Sequence, residues 1–432
     1  MIEKYLVKKI TEPVDWKVTV PGSKSMTNRA LLMAVLSAGT VRVEGVLFSD
    51  DSRHFLACLV ALGFTVEIEE EKKCVTVTGC GGRIPRGEAV IDVGSAGTAA
   101  RFLAAMLGFS DGCYEIRCSA QMKRRPMAEL FDLLSGAGAK ITFLEEEGHL
   151  PVRITGCRYA RADKTAGETP RELSLDITKS TQFLSALLLI APMVPEGMKI
   201  HITSEKTDGS YIRITRKMMQ EFGVSVAFDG RDYEVPCRSS YQKETYMVEP
   251  DMSAACYFYA AAAVTGGRAL VRHVHMDNTQ GDLRFLEVLE HMGCTADDTP
   301  EGVLVTGPAD GALRGITVNM NDFSDQALTL TAIAPFADAP VRIEGIGHIR
   351  GQECDRIHAI QTNLTALGIR CEEEETAATI YPGSPHGGSV ETYDDHRVAM
   401  AFSLVGLRTD GIVIENPACC RKTFENYFTV LS

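Results

Sequence analysis

No apolar run in the 432-residue chain is long enough to cross a bilayer, and its opening stretch, MIEKYLVKKITEP, lacks the apolar core of a signal peptide. A cytoplasmic protein is the expectation. The thirteen cysteines include no CxxC or CxxH spacing, which argues against a structural zinc site. Their odd number and their scatter through apolar stretches, as at Cys58, Cys256 and Cys294, suit reduced and buried thiols. The vicinal Cys419 and Cys420 read as incidental rather than redox-active. Basic excess is also missing: the formal charge is −13, which excludes the electrostatic footprint of a non-specific nucleic-acid binder. Small anionic ligands stay open, because local charge can oppose the global balance.

What remains is an ordinary globular composition, 45% hydrophobic and 23% charged, in a chain long enough for two or three domains and a large core. Six stretches repeat one pattern, a strand or polar turn, small polar and charged residues, then an almost wholly apolar helix. They read SKSMTNRALLMAVLSAG, SAGTAARFLAAMLGFSDG, KSTQFLSALLLIAPMVPEG, DMSAACYFYAAAAVTGG, SDQALTLTAIAPFADAP and DDHRVAMAFSLVGLRTDG. Their spacing is roughly 70 to 85 residues, a period that sets the architecture before any motif is read. Five have a downstream echo in which an amphipathic helix ends in glycine and runs into a strand: LVALGFTVEI, LLSGAGAKITF, MMQEFGVSVAF, LEHMGCTAD and LTALGIRCEE.

A helix apolar all round is buried on every side, so helices inside and sheets outside are expected, the reverse of a doubly wound sheet. The fold class predicted is α/β (α+β): a two-domain inside-out α/β barrel, each domain three βαβαββ-type repeats. Residues 1–20 plus 247–432 form one predicted domain and 21–246 the other, with an active site in the cleft between them. The stretch YEVPCRSSYQKETY, read as irregular, is the predicted crossing.

The polar residues of each repeat fall at a helix N-terminus, where backbone N–H groups and the dipole favour anions. PGSKSMTNRALL lacks the glycines of a Walker A loop, so nucleotide binding there is not expected. Two readings fit it: a serine cap with Lys24 and Arg29 in solvent, or a ligand anion on Arg29. Arg29 lies four residues after Ser25 in an otherwise buried helix, where a cation needs an anionic partner, and this favours the second. DVGSAGTAARFL lets backbone approach a ligand closely at Gly97 or is a plain glycine turn. QMKRRPM crowds Lys123, Arg124 and Arg125, as a solvated basic loop also would. Ser180, Thr181 and Gln182 in KSTQFL can donate to phosphate or simply cap a helix. SDQALTL puts Asp325 where a dipole-bound anion would otherwise go. GHIRGQECDRI holds Arg350, Glu353, Asp355 and Arg356, YDDHRVAMAF holds Asp395, His396 and Arg397, and RKTFENYF holds Lys422. His396 reads as a structural hydrogen-bonder. Together these cations exceed what capping requires.

VPGSKSMTNRALL, GSAGTAARFL, MKRRPM, STQFLSALLL, SDQALT, RGQECDRI, YDDHRVAMAFSL and RKTFENYF occur in this order over nearly the whole chain. Together they resemble the enolpyruvylshikimate phosphate synthases (3-phosphoshikimate 1-carboxyvinyltransferases). The resemblance implies two domains of three repeats. It also implies transfer of the enolpyruvyl group of phosphoenolpyruvate to the 5-hydroxyl of shikimate 3-phosphate, by addition and elimination, without a metal or organic cofactor. Both partners are small anions, no nucleic acid or membrane is involved, and the herbicide glyphosate is an expected inhibitor. A monomer is expected, since catalysis needs no second chain.

Carried over by motif, Lys24 bridges both substrates. Ser25, Arg29, Ser180, Thr181, Gln182, Tyr211, Asp325, His348 and Gln352 bind shikimate 3-phosphate. Gly97, Arg125, Gln182, Arg356, Arg397 and Lys422 hold phosphoenolpyruvate. Asp325 accepts the proton of the attacking hydroxyl, Glu353 protonates the methylene carbon, and Lys24 completes the catalytic set. The chain departs from the family pattern at Gln352, where many members have lysine, at His348, where many have asparagine, and at Ser95, in place of the usual asparagine. Asp208 falls near a position usually held by serine. The runner-up is the UDP-N-acetylglucosamine enolpyruvyl transferase family, which starts with a Lys-Asn pair rather than Lys24-Ser25 and carries a cysteine in the loop that here reads SAQMKRRPM. A non-catalytic paralogue acting as a binding protein is the reading from another class.

Overall fold

The structure is a computed structural model that describes residues 3–157 and 169–432. The chain divides into two compact units, one made of Met1–Pro21 with Glu249–Ser432 and one of Gly22–Val248. Among the described residues, each unit holds three sheets wrapped on three buried helices.

In the unit Gly22–Val248 the buried helices are Lys24–Leu36, Gly97–Gly108 and Thr181–Ile190, and each touches the other two. Every residue from Met26 to Leu36 and from Gly97 to Gly108 is buried. Sequences with no polar stripe can satisfy themselves only in that position, since a fully buried leucine side chain is worth about 1.5–3 kcal/mol relative to exposure. The sheet of the first repeat orders Thr245–Met247, Thr40–Glu44, Cys74–Thr78 and Thr65–Glu69, its first pair parallel and the other two antiparallel. Two further sheets repeat this parallel, antiparallel, antiparallel order, one around Cys113–Arg117 and one around Met198–Ile202. The stretch read as irregular in fact begins and ends in strands, Asp232–Val235 and Thr245–Met247. Alternation there is too short to register in the sequence, but Thr245–Met247 closes the ring by pairing with the sheet of the first repeat.

The other unit packs Met252–Thr265, Ala327–Ile333 and His396–Arg408 together. Its first sheet borrows Asp15–Val18 from the N-terminal segment, parallel to Arg268–Arg272. Its third has only three strands, and the antiparallel partner of Ile412–Glu415 is again N-terminal, Lys4–Leu6. The five amphipathic echoes are helices ending before Gly63, Gly138, Gly223, Gly293 and Gly368, each at positive φ. Glycine accepts that left-handed turn without a Cβ clash, and the chain can then enter a strand. No helix among the described residues is long and apolar enough to cross a membrane. Among the described residues the cysteines form no disulfide, and Cys58, Cys256 and Cys294 are buried.

Candidate active site

In the unit Gly22–Val248 the N-termini of the buried helices carry the polar residues. Arg29, one turn into its helix, is completely buried. Its Nε donates to Thr215 Oγ1 (2.8 Å), Nη1 to the Ser25 carbonyl (2.9 Å), and Nη2 to Ser185 Oγ (3.3 Å) and the Tyr211 carbonyl (3.4 Å). The guanidinium also lies 5.2 Å from the Phe102 ring centroid and 5.7 Å from that of Tyr211. Burial pushes its pKa down to about 10, still protonated at neutral pH. Neutral acceptors and two aromatic faces thus surround the Arg29 guanidinium. Lys24, at the start of the same helix, pairs with buried Asp51 at 3.4 Å.

A second group forms at the helix beginning with Gly97. A Cβ built there would lie 2.5 Å from Arg125 Nη1 and 2.8 Å from Arg101 Nη1, so two guanidinium tips sit against the backbone where a side chain would push them aside. Arg101 Nη1 donates to Gln182 Oε1 (2.8 Å), which brings the second and third helix starts together. Ser180 caps the third helix by accepting from the Gln182 N–H, and Thr181 opens it. Of the basic run, Lys123 pairs at the surface with Glu145, whereas Arg125 turns to Gly97.

The other unit builds a denser cluster. Arg356, 1% exposed, is ringed by three carboxylates: Asp395 on Nε (2.8 Å), Asp325 on Nη1 (3.1 Å) and Glu353 on Nη2 (3.0 Å). Burial opposes its charge, but Asp395, Glu353 and Asp325 outweigh this and hold it protonated above the ordinary arginine range. Arg397 Nη2 takes the other oxygen of Asp325 (2.9 Å), and Lys422 Nζ faces the other oxygen of Glu353 (3.3 Å). Asp395 is fully buried and also caps its own helix, accepting from the Arg397 N–H (2.8 Å). Three cations and three carboxylates thus interlock, with Asp325 and Glu353 each bound to two cations.

Asp325, Gln352, Glu353, Arg356, Arg397 and Lys422 are therefore neighbours, although the sequence spreads them over about a hundred residues. His348 bonds Ser324, next to Asp325 in the chain, at 2.8 Å. Arg350 turns away to Asp355 and Glu373. Sequence reasoning missed Asp51, Arg101 and Asp282. Arg101 could have been found, since a cation four residues into an apolar helix repeats the signal of Arg29.

The model of one family, EPSP synthase (3-phosphoshikimate 1-carboxyvinyltransferase), matches residues 8–431. A 3-phosphoshikimate 1-carboxyvinyltransferase of Trichormus variabilis is 42% identical over 421 residues, 97% of this chain and 96% of the relative. One from a Sulfurovum species is 40% identical over 422 residues, with the same coverage of both. The chain belongs to the EPSP synthase family. Among solved structures, the EPSP synthase of Acinetobacter baumannii superposes with a TM-score of 0.80 over 99% of this chain and 97% of its own, at 24% identity, which shows the shared fold. The enolpyruvyl transferase NikO of Streptomyces tendae superposes at 0.72 with 16% identity, again over 99% and 97%.

Within the EPSP synthase family the departures now have surroundings. The Gln352 side-chain oxygen accepts from Arg356 Nη1, a bond that a lysine ammonium cannot make because it has no acceptor. His348 engages the Ser324 hydroxyl through Nε2.

Proposed function

We propose that the chain transfers the enolpyruvyl group of phosphoenolpyruvate to the 5-hydroxyl of shikimate 3-phosphate and releases phosphate. The observation that carries this reading is the Arg356 cluster, in which two carboxylates suited to proton transfer sit on the cations suited to hold phosphoenolpyruvate. Guanidinium forks match carboxylate and phosphate oxygens, so Arg356, Arg397 and Lys422 bind the incoming anion. As they turn to it, Asp325 and Glu353 exchange their ion pairs for the reacting groups, Asp325 staying ionised and Glu353, freed of its cations, taking up a proton from solvent.

The 5-hydroxyl oxygen then attacks C2 of phosphoenolpyruvate while Asp325 takes the hydroxyl proton and Glu353 gives one to C3. The adduct carries a methyl group, the new C–O bond and the phosphate on one carbon. Loss of a methyl proton back to Glu353 restores the C=C bond, the C–O bond to phosphate breaks, and phosphate leaves with the proton that Asp325 held. The two carboxylates end as they began. Gly97, Arg125 and Gln182 complete the phosphoenolpyruvate set, and Lys24 serves both substrates. Ser25, Ser180, Thr181, Tyr211, His348 and Gln352 hold shikimate 3-phosphate. In this reading Arg29 reaches the shikimate carboxylate by giving up some of its present neutral partners.

The reading has a single chain acting in the cytoplasm. It is supported by the ordered motifs and by relatives about 40% identical along nearly the whole chain. The test is phosphate release from phosphoenolpyruvate with shikimate 3-phosphate or UDP-N-acetylglucosamine as acceptor. Release with the first alone is expected. Release with only the second would replace this reading by the runner-up, and release with neither would point to a binding protein.

A further inference from the structure

Asp282 lies in a short turn, Gly281–Arg284, that no motif marks, yet it is buried beside the Arg356 cluster. Its Oδ2 accepts from Gln326 Nε2 at 2.9 Å and from the Ser253 hydroxyl. Gln326 follows Asp325 in the same tight turn, Ser324–Gln326. Ser253 Oγ also accepts from Arg397 Nη2 (3.4 Å), the atom that holds Asp325. Among the described residues no cation forms an ion pair with Asp282. One carboxylate therefore ties three segments together behind Asp325.

We propose that Asp282 is a positioning residue for the proton transfer at Asp325: through Gln326 and Ser253 it fixes the Asp325–Arg397 pair, and its charge offsets the pull of the two guanidiniums on Asp325. This rests on the reading of Asp325 as the base. The electrostatics run in a definite direction. Arg356 and Arg397 both favour an ionised Asp325 and so oppose its taking a proton, whereas a nearby negative charge favours it. The groups facing Asp282 are Asp325 and Gln326 on their turn, Ser253 and Cys256 on the helix Met252–Thr265, and Arg397 on the helix His396–Arg408. Burial, then the charge of Asp325, raise the Asp282 carboxyl to about 6, against the lowering by Arg397 and its hydrogen bonds.

Asp282 is thus ionised at pH 8 and takes up a proton as the pH falls through about 6. Because its folded pKa lies above the unfolded value, ionisation costs stability as the pH rises through this window. Asp282→Asn keeps an oxygen acceptor for Gln326 and Ser253 and removes only the charge, so its Tm at pH 8 is expected to be no lower than that of the parent.

The experiment follows kcat and KM from about pH 5 to 9 for the parent, Asp282→Asn, Asp325→Asn and the double variant. The parent is expected to lose activity below about pH 6. Asp282→Asn should lack that limb and run about tenfold slower at pH 8, with both KM values within about twofold. Adding it to Asp325→Asn should cost nothing further. A parent-like kcat profile in Asp282→Asn, or a rise in KM with kcat unchanged, would overturn the proposal. An Asp325→Asn variant at full rate would instead overturn the reading of Asp325 as base. Should Asp282→Asn not fold, Ser253→Ala cuts the link to Arg397 and is expected to lower kcat about threefold or more; unchanged kcat there refutes the proposal equally.

Discussion

Asp325→Asn should bind phosphoenolpyruvate more tightly while turning over far more slowly. The Arg356 cluster balances three cations with three carboxylates, and Asp325 contributes one negative charge at 2.9 Å from Arg397 and 3.1 Å from Arg356. Asparagine keeps a side-chain oxygen for one of these contacts and makes the site one charge more positive. A substrate anion placed about 5 Å from the lost carboxylate escapes a repulsion of about 3 kcal/mol at an effective dielectric of about 20. Asp325 is 14% exposed, and water reduces this further. An improvement of about tenfold in Kd, equivalent to about 1.4 kcal/mol, is expected. Turnover should fall by about 10² to 10⁴, the range of a removed general base. Arg356 retains Asp395 and Glu353, so the fold should lose only about 1–2 kcal/mol rather than the cost of an orphaned buried charge. The assay pairs calorimetric titration of phosphoenolpyruvate, with shikimate 3-phosphate present, with phosphate release under saturation. Weaker binding together with parental kcat would refute both the charge accounting and the role of Asp325.

Glu353→Gln should lose most turnover and retain substrate binding, because glutamine still reaches Arg356 but delivers no proton to carbon; parental phosphate release would sink the acid assignment. In Gly97→Ala the new methyl meets Arg125 and Arg101 at 2.5 and 2.8 Å, so the guanidinium tips must shift, which disturbs the phosphoenolpyruvate site proposed above. A raised KM for phosphoenolpyruvate and weaker inhibition by glyphosate are expected, and unchanged values of both would count against it. Asp395→Ala removes a helix cap and the carboxylate on Arg356 Nε, leaving buried charge underpaired at a cost of about 3–5 kcal/mol. Chemical denaturation reads this directly, and a loss below about 1 kcal/mol would show that Arg356 repairs itself with its remaining partners.

Much of the scaffold is legible in the sequence because it rests on local rules. A helix such as YFYAAAAV has no face it can offer to water, and a glycine such as Gly368 ends a helix wherever it falls. Strand pairing was less legible. Thr245–Met247 and Asp15–Val18 are short, and their partners lie far away in sequence, so no local pattern announces them. At the site, side chains were easier to nominate than their states. Arg29 was correctly expected to be in a buried helix, but the hydroxyls and rings that surround it come from residues up to 186 positions away. The state of Asp282 is set in the same way, foremost by burial and the charge of Asp325, with Gln326 and Ser253 donating to it from separations of 44 and 29.

By itself, then, the sequence determined the six buried helices, their polar N-termini and the family, since hydrophobic period, turn chemistry and ordered motifs are written residue by residue. Tertiary structure alone decided which carboxylate meets which cation. Arg356 draws Asp325, Glu353 and Asp395 from three segments. Electrostatic energy depends on distance and burial in space, and neither is recorded in the spacing along the chain.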